Sequence, residues 1–165
     1  MIEVKHLFHE LDILLIDLLK SLEPSDWEKP TSAKLWNVKD VAAHLLDTNL
    51  RTLSIQRDRH VGEKPPKING YDDLVTWLNQ LNADWIKATK RLSPNVLISL
   101  LESTGKEVSD YYVGLTDMEE AIFSVAWAGE EKSFNLMHLE CEYKDKCQHQ
   151  QKVSEAVVEE GLCVL

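Results

Sequence analysis

The residues best suited to holding a metal ion are an aspartate and a histidine near the C-terminus, Asp145 and His149. They lie four positions apart in the segment 133–158, which contains no Pro or Gly and is predicted to form one long helix. At that spacing the two side chains lie about 40° apart around the helix axis and share a face. A carboxylate and an imidazole placed in this way can bind one ion together. The alternative is a solvated pair on an exposed face, which any long polar helix contains by chance.

A second histidine, His44, lies in the apolar segment Val41–Leu46. An imidazole there would lose its hydration on folding, so it needs a buried partner. Two interpretations stay open. His44 is either a metal ligand or a core histidine hydrogen-bonded to a backbone carbonyl.

Two further residues of the C-terminal helix are candidates for the same site, His138 and Glu142. They precede Asp145 by seven and three positions, so both project from the same side of a helix. Each is either an additional ligand, a base, or a polar side chain that remains in solvent.

The elements that position these residues are predicted to be helices. Leucines at spacings of three and four indicate a first helix over 3–22, and Asn37 is an N-cap candidate for a second over 38–60. A third helix of about 20 residues starts at Asp72. Ser93 and Pro94 open a short helix over 94–103 that Gly105 ends or interrupts. The segment 117–129 is expected to be irregular to helical.

Four long helices and a short extra helix predict an all-α fold, an up-and-down four-helix bundle. The length of 165 residues suits one domain, spanning 1–165. A net charge of −10 would repel nucleic-acid phosphates, so no nucleic-acid partner is expected. The N-terminal apolar run carries charges and no cleavage site, which predicts a cytoplasmic protein without a membrane partner. Three cysteines without a CxxC pattern are expected to be reduced thiols.

Two segments resemble the DinB-like superfamily. Residues 35–45, LWNVKDVAAHL, are similar to its GW-T-V-RDVVAHL segment. Residues 127–130, WAGE, and 143–153, YKDKCQHQQKV, are similar to its WAGE and YTE-KW-HHQQQIR segments. The branch resembled contains the metal-binding domain of mycothiol-dependent maleylpyruvate isomerase.

This resemblance implies a four-helix bundle of the DinB/YfiT-like type with a divalent metal between its helices. Carried over by position, the ligands are His44, Asp145 and His149. The chain departs from the branch at Asp145, where Glu is common. An Asp side chain reaches about one methylene less far, so the ion would lie closer to the helix or be bridged by water.

The resemblance further implies a metal-dependent transferase or isomerase that uses a low-molecular-weight thiol on a small electrophilic substrate. Zn²⁺ is the favoured ion and Ni²⁺ an alternative. A different class of function is a non-catalytic helical module with a weak or vestigial metal site, and a homodimer is expected under either reading. Hydrolysis by a metal-activated water is a further alternative.

Overall fold

The computed structural model describes residues 4–122 and 132–157 and places five α-helices within them. Their bounds are α1 Leu7–Ser21, α2 Val38–Arg51, α3 Tyr71–Thr89, α4 Pro94–Val113 and α5 Asn135–Val157. A 3₁₀ turn, Asp26–Glu28, precedes α2, and a π-helical segment, Thr52–Arg57, follows it. Two isolated β-bridges and no strand occur in the described residues.

The core lies among α1, α2, α4 and α5. Helix α2 contacts both α4 and α5, and α1 contacts the same two helices. Helix α3 packs against α2 from outside this group, and the Trp85 indole N–H donates to the Ala43 carbonyl at 2.8 Å. The predicted all-α bundle is confirmed. Its fully buried side chains include Leu15, Leu19, Val41, Leu45, Leu46, Leu97, Leu139 and Val153.

The start of α2 is set by hydrogen bonds of the kind that the sequence predicts. The Asn37 side chain accepts from the Asp40 backbone N–H at 2.9 Å, and the Asp40 carboxylate accepts from the Asn37 N–H at 3.4 Å. These reciprocal bonds satisfy backbone donors that a helix start otherwise leaves unpaired. Since α2 carries His44, the capping box also fixes where that imidazole lies.

Helix α4 differs from the prediction because it runs through Gly105 to Val113. A Cβ at position 105 would lie 3.0 to 3.1 Å from the Asp12 carboxylate of α1. That carboxylate pairs with Lys146 of α5 and accepts from the Ser109 hydroxyl at 3.2 Å. The glycine therefore leaves room for a buried polar contact between helices and does not end the helix.

The second helix also differs from the prediction over 38–60. Its α-helical part ends at Arg51, and the next turn, Thr52–Arg57, has π-helical hydrogen bonding. Arg59 then adopts a left-handed backbone conformation with φ of 58°. Such π-helical turns widen a helix locally and are frequent beside functional sites.

Three other expectations concern single features. No α-helix of the described residues combines the length and apolar character needed to cross a bilayer. Cys147 is disulfide-bonded, so the expectation of reduced thiols is wrong at this position. Residues 116–122 form turns and a bridge between Glu120 and Phe134. The rest of the predicted 117–129 segment, including WAGE, lies outside the described residues.

Candidate metal centre and its cleft

The structure brings His44 of α2 together with Asp145 and His149 of α5. One ligand atom from each residue lies within 4.8 Å of the other two. The two imidazole centroids are 4.8 Å apart, and both histidines are buried. Asp145 has a side chain that is 53% exposed, so it forms the solvent side of the group.

The hydrogen bond of His149 determines which of its nitrogen atoms can bind an ion. Its Nδ1 lies 2.8 Å from the Asp145 backbone carbonyl, and a carbonyl only accepts, so Nδ1 carries the proton and donates. The Nε2 lone pair is therefore available. Metal-bound histidines commonly donate their other ring N–H in this way, which fixes the ring orientation.

The environment of His44 holds its imidazole in the neutral form. Burial is the main cause, and the charges of His149, Arg51 and Lys152 add to it, so the pKa of His44 falls to about 3. The Trp36 ring lies 4.8 Å from the His44 ring and covers one side of it. A neutral imidazole retains the lone pair that a metal ligand needs.

The set of donors fits a divalent ion of the zinc type after a small adjustment. In tetrahedral coordination, two atoms that each lie about 2.1 Å from one ion are about 3.4 Å apart. The widest separation in the group, at most 4.8 Å, must therefore close by up to about 1.4 Å. Asp145 is exposed enough for its side chain to rotate toward the histidines.

The other two candidates, Glu142 and His138, differ in whether they line the cleft. Burial and the adjacent Asp145 carboxylate raise the pKa of Glu142 to about 7, although Arg51 and Lys146 oppose the shift. Its side chain lines the same cleft as His44 and Asp145. His138 is buried, with Nε2 3.8 Å from a Glu142 oxygen, and it does not line that cleft. Glu142 thus adjoins the three residues, and His138 lies behind it.

A cleft of about 850 Å³ opens onto the group. Its polar lining includes His44, Arg51 and Asp145, and the π-helical segment and α3 supply much of the remainder. The sequence reasoning predicted the helix α3 but not this cleft. The signal available was the loop 61–70, whose Pro and Gly residues separate α3 from the helix before it.

Arg51 is a second residue that sequence reasoning missed. Its guanidinium forms a 3.0 Å ion pair with Asp47 one turn earlier on α2. Burial raises the pKa of the Asp47 carboxyl, and Arg51 acts in the opposite direction. Asp47 and Arg51 follow His44 by three and seven positions. The positive charge of Arg51 therefore lies about two helical turns from His44, on the same face of α2.

A model of the mycothiol maleylpyruvate isomerase N-terminal domain matches residues 8–130. The chain belongs to this family. The family is part of the DinB-like superfamily, so the resemblance of the AHL segment is confirmed. The match includes His44 and ends before α5. Asp145 and His149 are therefore assigned to the site from their distances to His44 and not from the family match. No curated protein and no solved structure matches the chain.

Proposed function

We propose that this protein is a metal-dependent enzyme that uses a low-molecular-weight thiol to modify or isomerise a small electrophilic molecule. The observation that carries the proposal is the convergence of His44, Asp145 and His149, of which His44 and Asp145 line a large open cleft. Membership of the mycothiol maleylpyruvate isomerase N-terminal domain family supports the proposal that the co-substrate is a thiol. Zn²⁺ is the proposed ion, with Ni²⁺ as the alternative, because two imidazoles and a carboxylate suit both.

Three protein ligands leave at least one coordination position open, which is typical of catalytic sites. When bound, the ion would supply positive charge that favours the deprotonated form of a thiol at neutral pH. The chain itself does the positioning. His149 is held by its bond to the Asp145 carbonyl, and Trp36 packs against both imidazoles, with centroids at 4.8 and 6.3 Å.

Metal content tests the ligand assignment. The full chain, purified without a His tag or chelator, should hold about one ion, and His44→Ala and His149→Ala should each hold none. His9→Ala is the matched control, because His9 is exposed on α1, and it should retain the ion. Stoichiometric metal in His149→Ala would refute the assignment. An empty wild type would instead support the non-catalytic module.

Activity is tested separately, on zinc-loaded protein. We expect consumption of free thiol in the presence of an activated alkene, with loss of that activity in His44→Ala. Metal binding without any thiol-dependent turnover would count against the transferase or isomerase and leave the metal site intact.

The second candidate is a hydrolase, and the position of Glu142 favours it. A carboxyl group with a pKa of about 7 at the cleft is suited to accept a proton from water near neutral pH. Thiol-independent cleavage of an ester, lost in Glu142→Gln, would support hydrolysis over thiol transfer.

A further inference from the structure

The apolar wall of the cleft comes from the first half of α3. Four of its large side chains line the cleft, and all are only partly buried: Leu74, Trp77, Leu78 and Leu81. Within α3, all of which is described, just Ile86 and Thr89 are buried, and both lie near its C-terminal end. The helix is amphipathic, so its apolar face meets the cleft over most of its length in place of a packed core.

Residues outside α3 add to this apolar surface. Leu50, Ile55 and Val61 also line the cleft, with Leu50 37% and Val61 56% exposed. A volume of about 850 Å³ with such walls lies within the range of pockets that enclose small organic ligands. Because these apolar side chains remain in contact with water, the cleft favours a ligand with an apolar body that would cover them.

The same cleft is lined by a cation, Arg51, whose charge is opposed by the Asp47 carboxylate and, at longer range, by Glu142. Arg51 uses Nη2 for its ion pair with Asp47, and its Nε has no hydrogen-bond partner in the described part of the chain. A guanidinium has five N–H donors, so donors remain for a further anionic group. Because His44 and Asp145 line the same cleft, an anion bound to Arg51 would lie beside the candidate metal ligands.

We propose that the cleft selects an amphipathic anion, an apolar body against α3 with a carboxylate-like head group directed at Arg51 and the metal. The proposal rests on the proposed function in taking the metal as the place of reaction. It adds the class of the electrophilic substrate, which carries at least a medium-length apolar group and one negative charge.

The apolar wall is tested first, on metal-free protein with neutral probes. In calorimetric titrations, 1-octanol should bind about tenfold tighter than 1-hexanol, since each buried methylene is worth a factor of about three to four. Leu78→Asp, or Leu74→Asp as a second variant, should remove that difference. Leu100→Asp is the matched control, because Leu100 is 39% exposed on α4 and does not line the cleft. Equal affinity of the two alcohols in the wild type would overturn the proposal.

The anionic head group is tested on zinc-loaded protein by comparing octanoate with 1-octanol. Octanoate should bind about tenfold tighter, and Arg51→Gln should reduce that preference to about threefold, because the zinc charge supplies the remainder. Arg57→Gln is the control, because Arg57 pairs with Asp58 and Glu107 outside the cleft. An unchanged preference in Arg51→Gln would overturn the role of Arg51.

Zinc content measured on the protein as purified, before it is stripped or loaded, separates the two proposals. Zinc retention without chain-length dependence would refute the amphipathic ligand and leave the metal enzyme standing. A dependence of affinity on chain length without zinc retention would refute the metal enzyme and leave the apolar ligand site standing.

Discussion

The partly buried position of Glu142 makes the stability of the metal-free protein depend on pH. Burial, followed by the Asp145 carboxylate, raises the pKa of Glu142 from 4.5 to about 7. In the unfolded chain the carboxyl ionises near 4.5, so between these two values the folded state binds more protons than the unfolded state. The contribution of protonated Glu142 to the free energy of unfolding is therefore fully present below pH 4.5, falls as pH rises, and is lost above pH 7.

The size of this effect follows from the shift and from the exposure of the side chain. A change from 4.5 to about 7 corresponds to about 3 kcal/mol, at about 1.4 kcal/mol per pH unit. The side chain is 34% exposed toward the cleft, so water screens part of the interaction. We therefore expect the free energy of unfolding to fall by about 1–2 kcal/mol between pH 5 and 7.5 through this group.

The substitution Glu142→Gln removes the ionisation and keeps the shape of the side chain. Urea unfolding of wild type and variant, both stripped of metal, should be compared at several pH values across this range. The difference in unfolding free energy between them should shift by about 1–2 kcal/mol in favour of the variant as pH rises. Glu155→Gln, an exposed position on the same helix, should follow the wild type. Parallel curves for wild type and Glu142→Gln would refute the reasoning.

Four further predictions concern the packing and the metal. Gly105→Ala should lower the unfolding free energy by about 1–3 kcal/mol in denaturant melts, because the added methyl group meets the Asp12 carboxylate, and a stabilised variant would contradict this. Lys146→Met should lower the unfolding free energy by about 3–5 kcal/mol, because Asp12 is left buried and unpaired. Adding Asp12→Leu to Lys146→Met should recover most of that loss. An equal loss in the single and the double variant would exclude the coupling between the two residues. Asn37→Ala should lower the thermal midpoint through loss of about 1 kcal/mol of capping, and an unchanged midpoint would contradict the role of the cap. Asp145→Glu should bind zinc more tightly in competition with a chelator, because the side chain reaches about one methylene further toward the two histidines. Weaker binding would show that Asp145 already reaches the ion.

The parts of the site that lie at short spacing on one helix were accessible from the sequence. Asp145 and His149 share a face because of helix geometry alone, and the Asn37 cap fixed the start of the helix that carries His44. That α2 and α5 bring these residues within 4.8 Å is a matter of tertiary packing, and periodicity carries no information about it. Ligation by the three residues stays a prediction.

The errors have physical causes of the same kind. Gly105 reads as a helix breaker from its backbone entropy, yet its lack of a side chain is what lets α4 pass the Asp12 carboxylate. The apolar stripe of α3 looks the same whether it faces a core or a cleft, so the stripe alone does not predict the cleft. The π-helical segment has no signal in residue type that distinguishes it from an α-helical turn.

The division of the three candidate ligands between α2 and α5 makes a bound ion a cross-link between distant parts of the chain. An ion that binds only the folded state adds to its stability by mass action, about 2.7 kcal/mol at a free concentration 100 times the dissociation constant. The melting temperature would then follow the free zinc concentration, so a chelator would lower it without any change in sequence. Where such an ion is scarce, a smaller fraction of the protein would be folded, and its abundance would vary with the supply of that ion as well as with expression.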